Sequence, residues 1–259
     1  VALVDDIIAE AQENFTLNLS GAVNATIGNA SASATIIDNE SAAPAAPIAI
    51  AGTSGNDIFQ GTQFRDTFTG GAGNDIFNGG DGNDSMVGGG GNDTFIIENA
   101  GDTYSEAVGG GTDLVISYLA SHTLGANVEN LLLAGPAITG IGNALANTIT
   151  GNGANNTING GAGNDVLNGA AGSDNISGGA GSDFIVFNTA LNAATNVDTL
   201  ADFNVADDTI RLENAIFTKF TATGAIPANT LVSGPGAVAL DSNDFLIYNT
   251  TNGNLYYDA

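Results

Sequence analysis

A nine-residue period governs this chain. From Gly52 the sequence divides into five consecutive lines, GTSGNDIFQ, GTQFRDTFT, GGAGNDIFN, GGDGNDSMV and GGGGNDTFI, ending at Ile96. Their sixth positions are Asp57, Asp66, Asp75, Asp84 and Asp93, and their eighth are Phe59, Phe68, Phe77, Met86 and Phe95. A second block starts at Gly142 with GNALANTIT, GNGANNTIN, GGAGNDVLN, GAAGSDNIS and GGAGSDFIV. There the sixth positions are Asn147, Asn156, Asp165, Asp174 and Asp183, and the eighth are Ile149, Ile158, Leu167, Ile176 and Ile185. A unit this short cannot bury an apolar face alone, so it must stack on its neighbours.

The residue types say how it stacks. In a strand, successive side chains alternate between faces, so the eighth residue points inward while its neighbours point out. Glycines at the first, second and fourth positions suit a tight turn and leave carbonyls free to face a ligand. If two lines complete one turn of a flattened coil, residues 18 apart lie above one another at the strand spacing of about 4.8 Å. Asp57, Asp75 and Asp93 then share one edge, and Asp66 and Asp84 the other. Two bare carboxylates at that distance repel by roughly 3 kcal/mol at an effective dielectric of about 20. A hard divalent cation between turns removes the repulsion, and calcium suits flexible all-oxygen sites of six or more ligands. Metal binding and folding then become one event.

Composition narrows the classes. With 3 Lys+Arg against 28 Asp+Glu, net charge −25, the chain lacks the basic clusters that phosphate backbones require, so no nucleic-acid partner is expected. No cysteine means no disulfide framework and no thiolate zinc site, while 43% hydrophobic residues argue against disorder. No stretch approaches the length of a membrane span. The start, Val1-Ala2-Leu3, has no Met and no signal-peptide pattern, and reads as an internal piece of something longer.

GGAGNDIFN, GGAGNDVLN and GGAGSDFIV closely resemble the calcium-binding nonapeptide of RTX (repeats-in-toxin) proteins. The resemblance implies bacterial proteins exported by type I secretion machinery that fold outside the cell on calcium. The expected fold is all-β, a right-handed parallel β-roll stapled by calcium. Expected ligands are Asp57, Asp66, Asp75, Asp84, Asp93, Asp165, Asp174 and Asp183, with Asn156 and the turn glycines Gly55, Gly73, Gly82, Gly91, Gly163, Gly172 and Gly181. Phe64-Arg65 departs from the pattern beside Asp66, and Asn147 and Asn156 each remove a charge. The strongest sites are expected between Asp57 and Asp75, Asp75 and Asp93, and Asp165 and Asp183; Asp66 with Asp84 follows, and Asp174 with Asn156 is weakest. About four to six ions are expected in all.

Residues 97–141 lose the aspartate ladder but keep short apolar runs bracketed by Gly or Asn, so one roll is read from 52 to 187, with 97–141 as calcium-poor rungs. Asp102, Glu106 and Asp113 are candidate ligands of a further ion there, and as solvated turn acids they need none. His122, the only histidine, is assigned no role. Residues 1–40 resemble the second half of a Calx-beta sandwich at Asp5-Asp6, Glu10, Glu13-Asn14-Phe15 and Ile37-Asp38, with Asp5, Asp6, Glu10 and Asp38 as possible ligands. A Pro/Ala linker, 41–51, follows it. Residues 188–259 resemble the C-terminal flank of serralysin-type and other RTX proteins, and are expected to form a β-rich cap over the last rung.

No H-E-x-x-H, G-x-S-x-G or Walker motif is present, and the phase of the carboxylates assigns them to turns, so no enzyme is expected. The sequence reads as a module of a large secreted or cell-surface bacterial protein, an adhesin or surface-layer component, with a surface ligand or copies of itself as possible partners. Two alternatives stand beside it: the non-catalytic tail of a secreted hydrolase, and a self-assembling extracellular filament or lattice subunit.

Overall fold

A computed structural model of the chain describes residues 46–220, 224–227, 230–238 and 245–257, with the backbone of two further strands, Glu13–Asn18 and Ser31–Ile36. Those two strands pair antiparallel, Glu13 opposite Ile36 and Asn18 opposite Ser31. The candidate ligands Asp5, Asp6, Glu10 and Asp38, and the rest of the Calx-beta-like segment, lie outside the described residues.

The repeats build a parallel β-solenoid, with no α-helix among the described residues. One face is a nine-stranded parallel sheet running from Ile58–Gln60 to Thr209–Leu212. The opposite face carries four strands, from Ala49–Ala51 to Thr103–Ser105, and then five, from Ser121–Thr123 to Thr199–Leu200. Eighth-position residues align across the first sheet: Phe59 opposes Phe77, which opposes Phe95, followed by Val115, Leu131, Ile149, Leu167 and Ile185. The acids two residues earlier step by 18 along the edge, except for a step of 20 from Asp93 to Asp113 and one of 16 from Asp113 to Glu129. These two cancel, so the second nonad block resumes in phase with the first and the 97–141 stretch is continuous with the roll.

The core is the narrow space between the faces. Phe68, Phe77 and Phe95 are fully enclosed, as are Val115, Ile149 and Leu167. In-register stacking places identical side chains one rung apart: Phe59 and Phe77 rings lie 4.8 Å apart at 5°, and Phe77 and Phe95 5.1 Å apart at 10°. Such offset pairs add about 0.5–1.5 kcal/mol each beyond burial. His122 occupies one of these inward positions. Its ring stacks on Tyr104 at 5.7 Å. The Tyr104 hydroxyl accepts from the Gly125 amide and lies 3.0 Å from His122 Nε2, which is left to accept the hydroxyl proton. Burial pushes the imidazole down to about 4, so it is neutral at pH 7 and serves as a core residue where strand pairing between the four- and five-stranded sheets is interrupted.

The roll extends beyond the span expected from the glycine pattern. Ala49–Ala51 already pairs with the strand at Thr67, and past Phe187 the strands Thr199–Leu200 and Thr209–Leu212 stack in register on the last nonads. Backbone pairing needs only an inward apolar residue at the correct register, which Leu200 and Ile210 supply after longer connections. A second, smaller core of Phe217, Phe220 and Leu246 follows, beside a sheet of Leu231–Gly234, Leu246–Asn249 and Asn254–Tyr257. Phe187 packs against both cores and ties this cap to the end of the roll.

Candidate metal centres

From Asp66 on, each sixth-position acid of the nonads closes the turn of the rung below. Asp75 Oδ1 accepts the amide of Asp57 at 2.8 Å, Asp93 that of Asp75 at 2.8 Å, and Asp113 that of Asp93 at 2.8 Å. On the opposite edge Asp84 accepts from Asp66 at 2.7 Å and Asp102 from Asp84 at 3.1 Å. The second block repeats the arrangement: Asp165 accepts from Asn147, Asp183 from Asp165, and Asp174 from Asn156. One carboxylate oxygen per acid is therefore spent on the backbone.

The fate of the other oxygen divides the turns into two kinds. In four turns the second residue is Thr53, Thr62, Asn143 or Asn152. Its amide donates to the free oxygen of the sixth residue, at 2.6 Å to Asp57, 2.6 Å to Asp66, 2.7 Å to Asn147 and 2.8 Å to Asn156. In six turns the second residue has a positive φ, at Gly71, Gly80, Gly89, Gly161, Ala170 and Gly179. The amide is then rotated away; those of Gly80, Gly161 and Ala170 donate instead to Asn78, Asn159 and Asn168 just before the turn. Oδ2 of Asp75, Asp84, Asp93, Asp165, Asp174 and Asp183 is left buried with no hydrogen-bond partner. An orphaned buried carboxylate oxygen is costly, and six in phase require a common partner.

The neighbouring carbonyls supply the rest of a cation shell. A side chain on Gly89 or Gly91 would strike the carbonyls of Gly71 and Gly73 on the rung below, and Gly179 and Gly181 stand likewise over Gly161 and Gly163. Second- and fourth-position carbonyls thus project into the gap between stacked turns, and the orphaned oxygens of Asp75 and Asp165 lie beside the first-position carbonyls of Gly88 and Gly178 in the turn above. The donor set is all oxygen and anionic, carboxylates with backbone carbonyls, which is the chemistry of a hard cation such as calcium. Without a cation, burial pushes the carboxyls of Asp84, Asp93, Asp113 and Asp183 above the usual range, and those of Asp165 and Asp174 up to about 6.

At the start of the second block, side-chain amides occupy the same gaps. Asn143 Nδ2 donates to the carbonyls of Gly125 and Val128, both at 2.7 Å, and Asn147 Nδ2 to Val128 and Glu129 at 3.2 Å. On the other edge Asn152 Nδ2 donates to Ala137 at 2.7 Å, and Asn156 Nδ2 to Ala137 at 3.2 Å and Ile138 at 3.3 Å. Asn99 Nδ2 likewise donates to Gly80 at 2.7 Å. An NH2 group offers turn carbonyls the positive charge density that an ion would otherwise bring.

Several members of the ladders stand outside the glycine pattern and are not apparent from the nonads. Glu129 accepts from Asp113, Asp198 from Asp174 and Asp208 from Asp183. Each stands two residues before an inward apolar residue, as Asp57 does before Phe59; that short acid-x-apolar signal persists where the glycines do not. Asp202 accepts from Ser177 Oγ at 2.6 Å and the amides of Gly178 and Gly179. Fifth-position asparagines form a separate ladder, with Asn56 Oδ1 accepting from Asn74 and Asn74 Oδ1 from Asn92, each at 2.8 Å.

No curated protein matches the chain significantly. The profile of the RTX calcium-binding nonapeptide repeat matches four times, at residues 51–86, 60–95, 141–176 and 150–185. Those spans contain all six turns with orphaned carboxylates and end where the glycine pattern ends. The chain therefore carries two blocks of RTX calcium-binding nonapeptide repeats, built into one parallel β-solenoid.

Proposed function

We propose that the chain is a calcium-dependent structural module of a large secreted or cell-surface bacterial protein, of adhesin or surface-layer type, whose roll forms only after export. The observation that carries this reading is the set of six in-phase turns whose buried carboxylate oxygens lack any partner in the protein. Such sites fill at the millimolar calcium found outside cells and stay empty at the far lower levels inside. A chain of net charge −25 that stays unfolded until then is soluble and able to thread through a secretion channel. On intact cells producing the parent protein, antibody against the roll is expected to bind without permeabilisation, and a chelator wash should make the roll protease-sensitive. Labelling that requires permeabilisation would overturn the reading.

For the ions themselves, Asp75 with Asp93 and Asp165 with Asp183 form the strongest sites, because the free oxygen of Asp75, like that of Asp165, lies beside a carbonyl of the turn above, Gly88 or Gly178. Asp57 with Asp75 and Asp66 with Asp84 follow, because Oδ2 of the lower acid already accepts the Thr53 or Thr62 amide. Carbonyls of the second and fourth positions, including Gly55, Gly73, Gly82, Gly91, Gly163, Gly172 and Gly181, complete the shells. Asn156 with Asp174 is weakest, because the Asn156 amide is already committed to Ala137 and Ile138. Converting that turn to the open kind, with N152G and N156D together, is expected to tighten calcium binding between it and Asp174, seen as an added or steeper phase in equilibrium dialysis. An isotherm superimposable on the wild type would count against this ligand scheme.

A further inference from the structure

Where the first block meets the 97–141 rungs, its last nonad acid, Asp93, converges with two carboxylates from outside the nonad pattern, Glu106 and Asp113. One oxygen each of Asp93, Glu106 and Asp113 lies within 4.8 Å of the other two. Asp93 and Asp113 are about 1% and 0% exposed, and Asp93 Oδ2, Glu106 Oε1 and Asp113 Oδ2 have no hydrogen-bond partner. The remaining oxygens are committed: Asp93 Oδ1 accepts from Asp75 and Asp113 Oδ1 from Asp93, while Glu106 Oε2 accepts from the amides of Gly89 and Ala107, both at 3.2 Å. Three free anionic oxygens thus face one another with their partners already fixed. Glu129 stands beside them, its Oε2 accepting the Asp113 amide at 2.9 Å, so it adds charge without closing the cluster.

The backbone makes room for this meeting. The Asp93 to Asp113 step spans 20 residues instead of 18, and the longer connection lets Glu106 reach back over the turn beneath. Gly88 sits opposite, where any Cβ would collide with both Glu106 Oε1 and Asp93 Oδ2. The carbonyls of Gly89 and Gly91 face the same gap, against Gly110 and Gly111 of the rung above.

We infer that Asp93, Glu106 and Asp113, with the Gly89 and Gly91 carbonyls, hold one calcium ion in a three-carboxylate site that the nonad pattern does not encode, and that this ion joins the first repeat block to the rungs that follow. The inference rests on the calcium reading of the repeats. A third carboxylate raises ligand charge above that of a two-aspartate gap, which favours calcium further. Equilibrium dialysis with radioactive calcium on the whole chain tests it. E106Q keeps the side chain's size and is expected to bind one ion fewer per chain, with unchanged circular dichroism at saturating calcium. E106D, shorter by one methylene, should retain that ion at reduced affinity, and E98Q, at an exposed glutamate, should match the wild type. Equal stoichiometry and affinity in E106Q and wild type would overturn this site while leaving the repeat sites standing; a wild type that binds no calcium would overturn the repeat reading itself.

Discussion

In excess chelator at neutral pH the chain is expected to lose most of its β-sheet circular dichroism and to regain it cooperatively as calcium returns to about the millimolar range. Nine contacts in the two edge ladders set one acid directly over another, from Asp57 on Asp75 to Asp183 on Asp208. Each costs roughly 3 kcal/mol of repulsion at an effective dielectric of about 20. The amide that each carboxylate accepts offsets part of that, but a few such contacts suffice to cancel the roughly 5–15 kcal/mol by which a typical domain is stable. The apolar side cannot compensate, because each rung contributes only one large enclosed side chain per face, such as Phe77 or Leu167. Cooperativity follows from the linear stack: each ion joins two turns, and a folded rung presents half a site to the next. Matching spectra in chelator and in calcium would refute this account of the ladder.

How much of this was legible in the sequence depends on which signal each part uses. Residues 52–96 and 142–186 announce both strand and turn, because the apolar eighth residue and the glycines recur at fixed phase. The rungs between them keep only the inward residue and lose the turn signature, so Tyr104 and His122 read as unremarkable although both sit at core positions. Short apolar runs bracketed by Gly or Asn marked that stretch as part of the roll, and its length, a whole number of repeats, keeps the two blocks in phase. Ligand quality was less legible. Asp57 and Asp75 look equivalent in sequence, yet the Thr53 amide satisfies Asp57 whereas Gly71, at positive φ, turns its own amide away from Asp75. The second residue of each line, not only the sixth, decides whether an oxygen is left for an ion. Glu106 was visible as a candidate ligand, but its meeting with Asp93 depends on a longer connection whose path no local pattern specifies.

Protons are expected to substitute partly for calcium, so that the pH dependence of stability changes sign when calcium is added. In the cation-free fold, burial raises the carboxyls of Asp84, Asp93, Asp113, Asp183 and Asp198, takes Asp165 and Asp174 to about 6, and takes Glu106 to about 7. The folded chain then holds these protons more tightly than the unfolded chain, whose carboxyls titrate near about 4. Stability from a raised carboxyl is fully present below the unfolded value and is lost as pH rises through the folded one. In chelator, lowering the pH from about 8 to about 5.5 should therefore restore part of the β signal, still above the isoelectric point of about 4.1. On the proposed ligand scheme the nonad acids and Glu106 with Asp113 must be deprotonated to hold calcium, so acidification over that range is expected to expel the ions and lower the melting temperature. Circular dichroism melts at both pH values, with and without calcium, and sedimentation to confirm that the acid form is not aggregated, measure the crossing directly. Melting temperatures that move in the same direction with pH in both conditions would show that the buried carboxylates do not control folding.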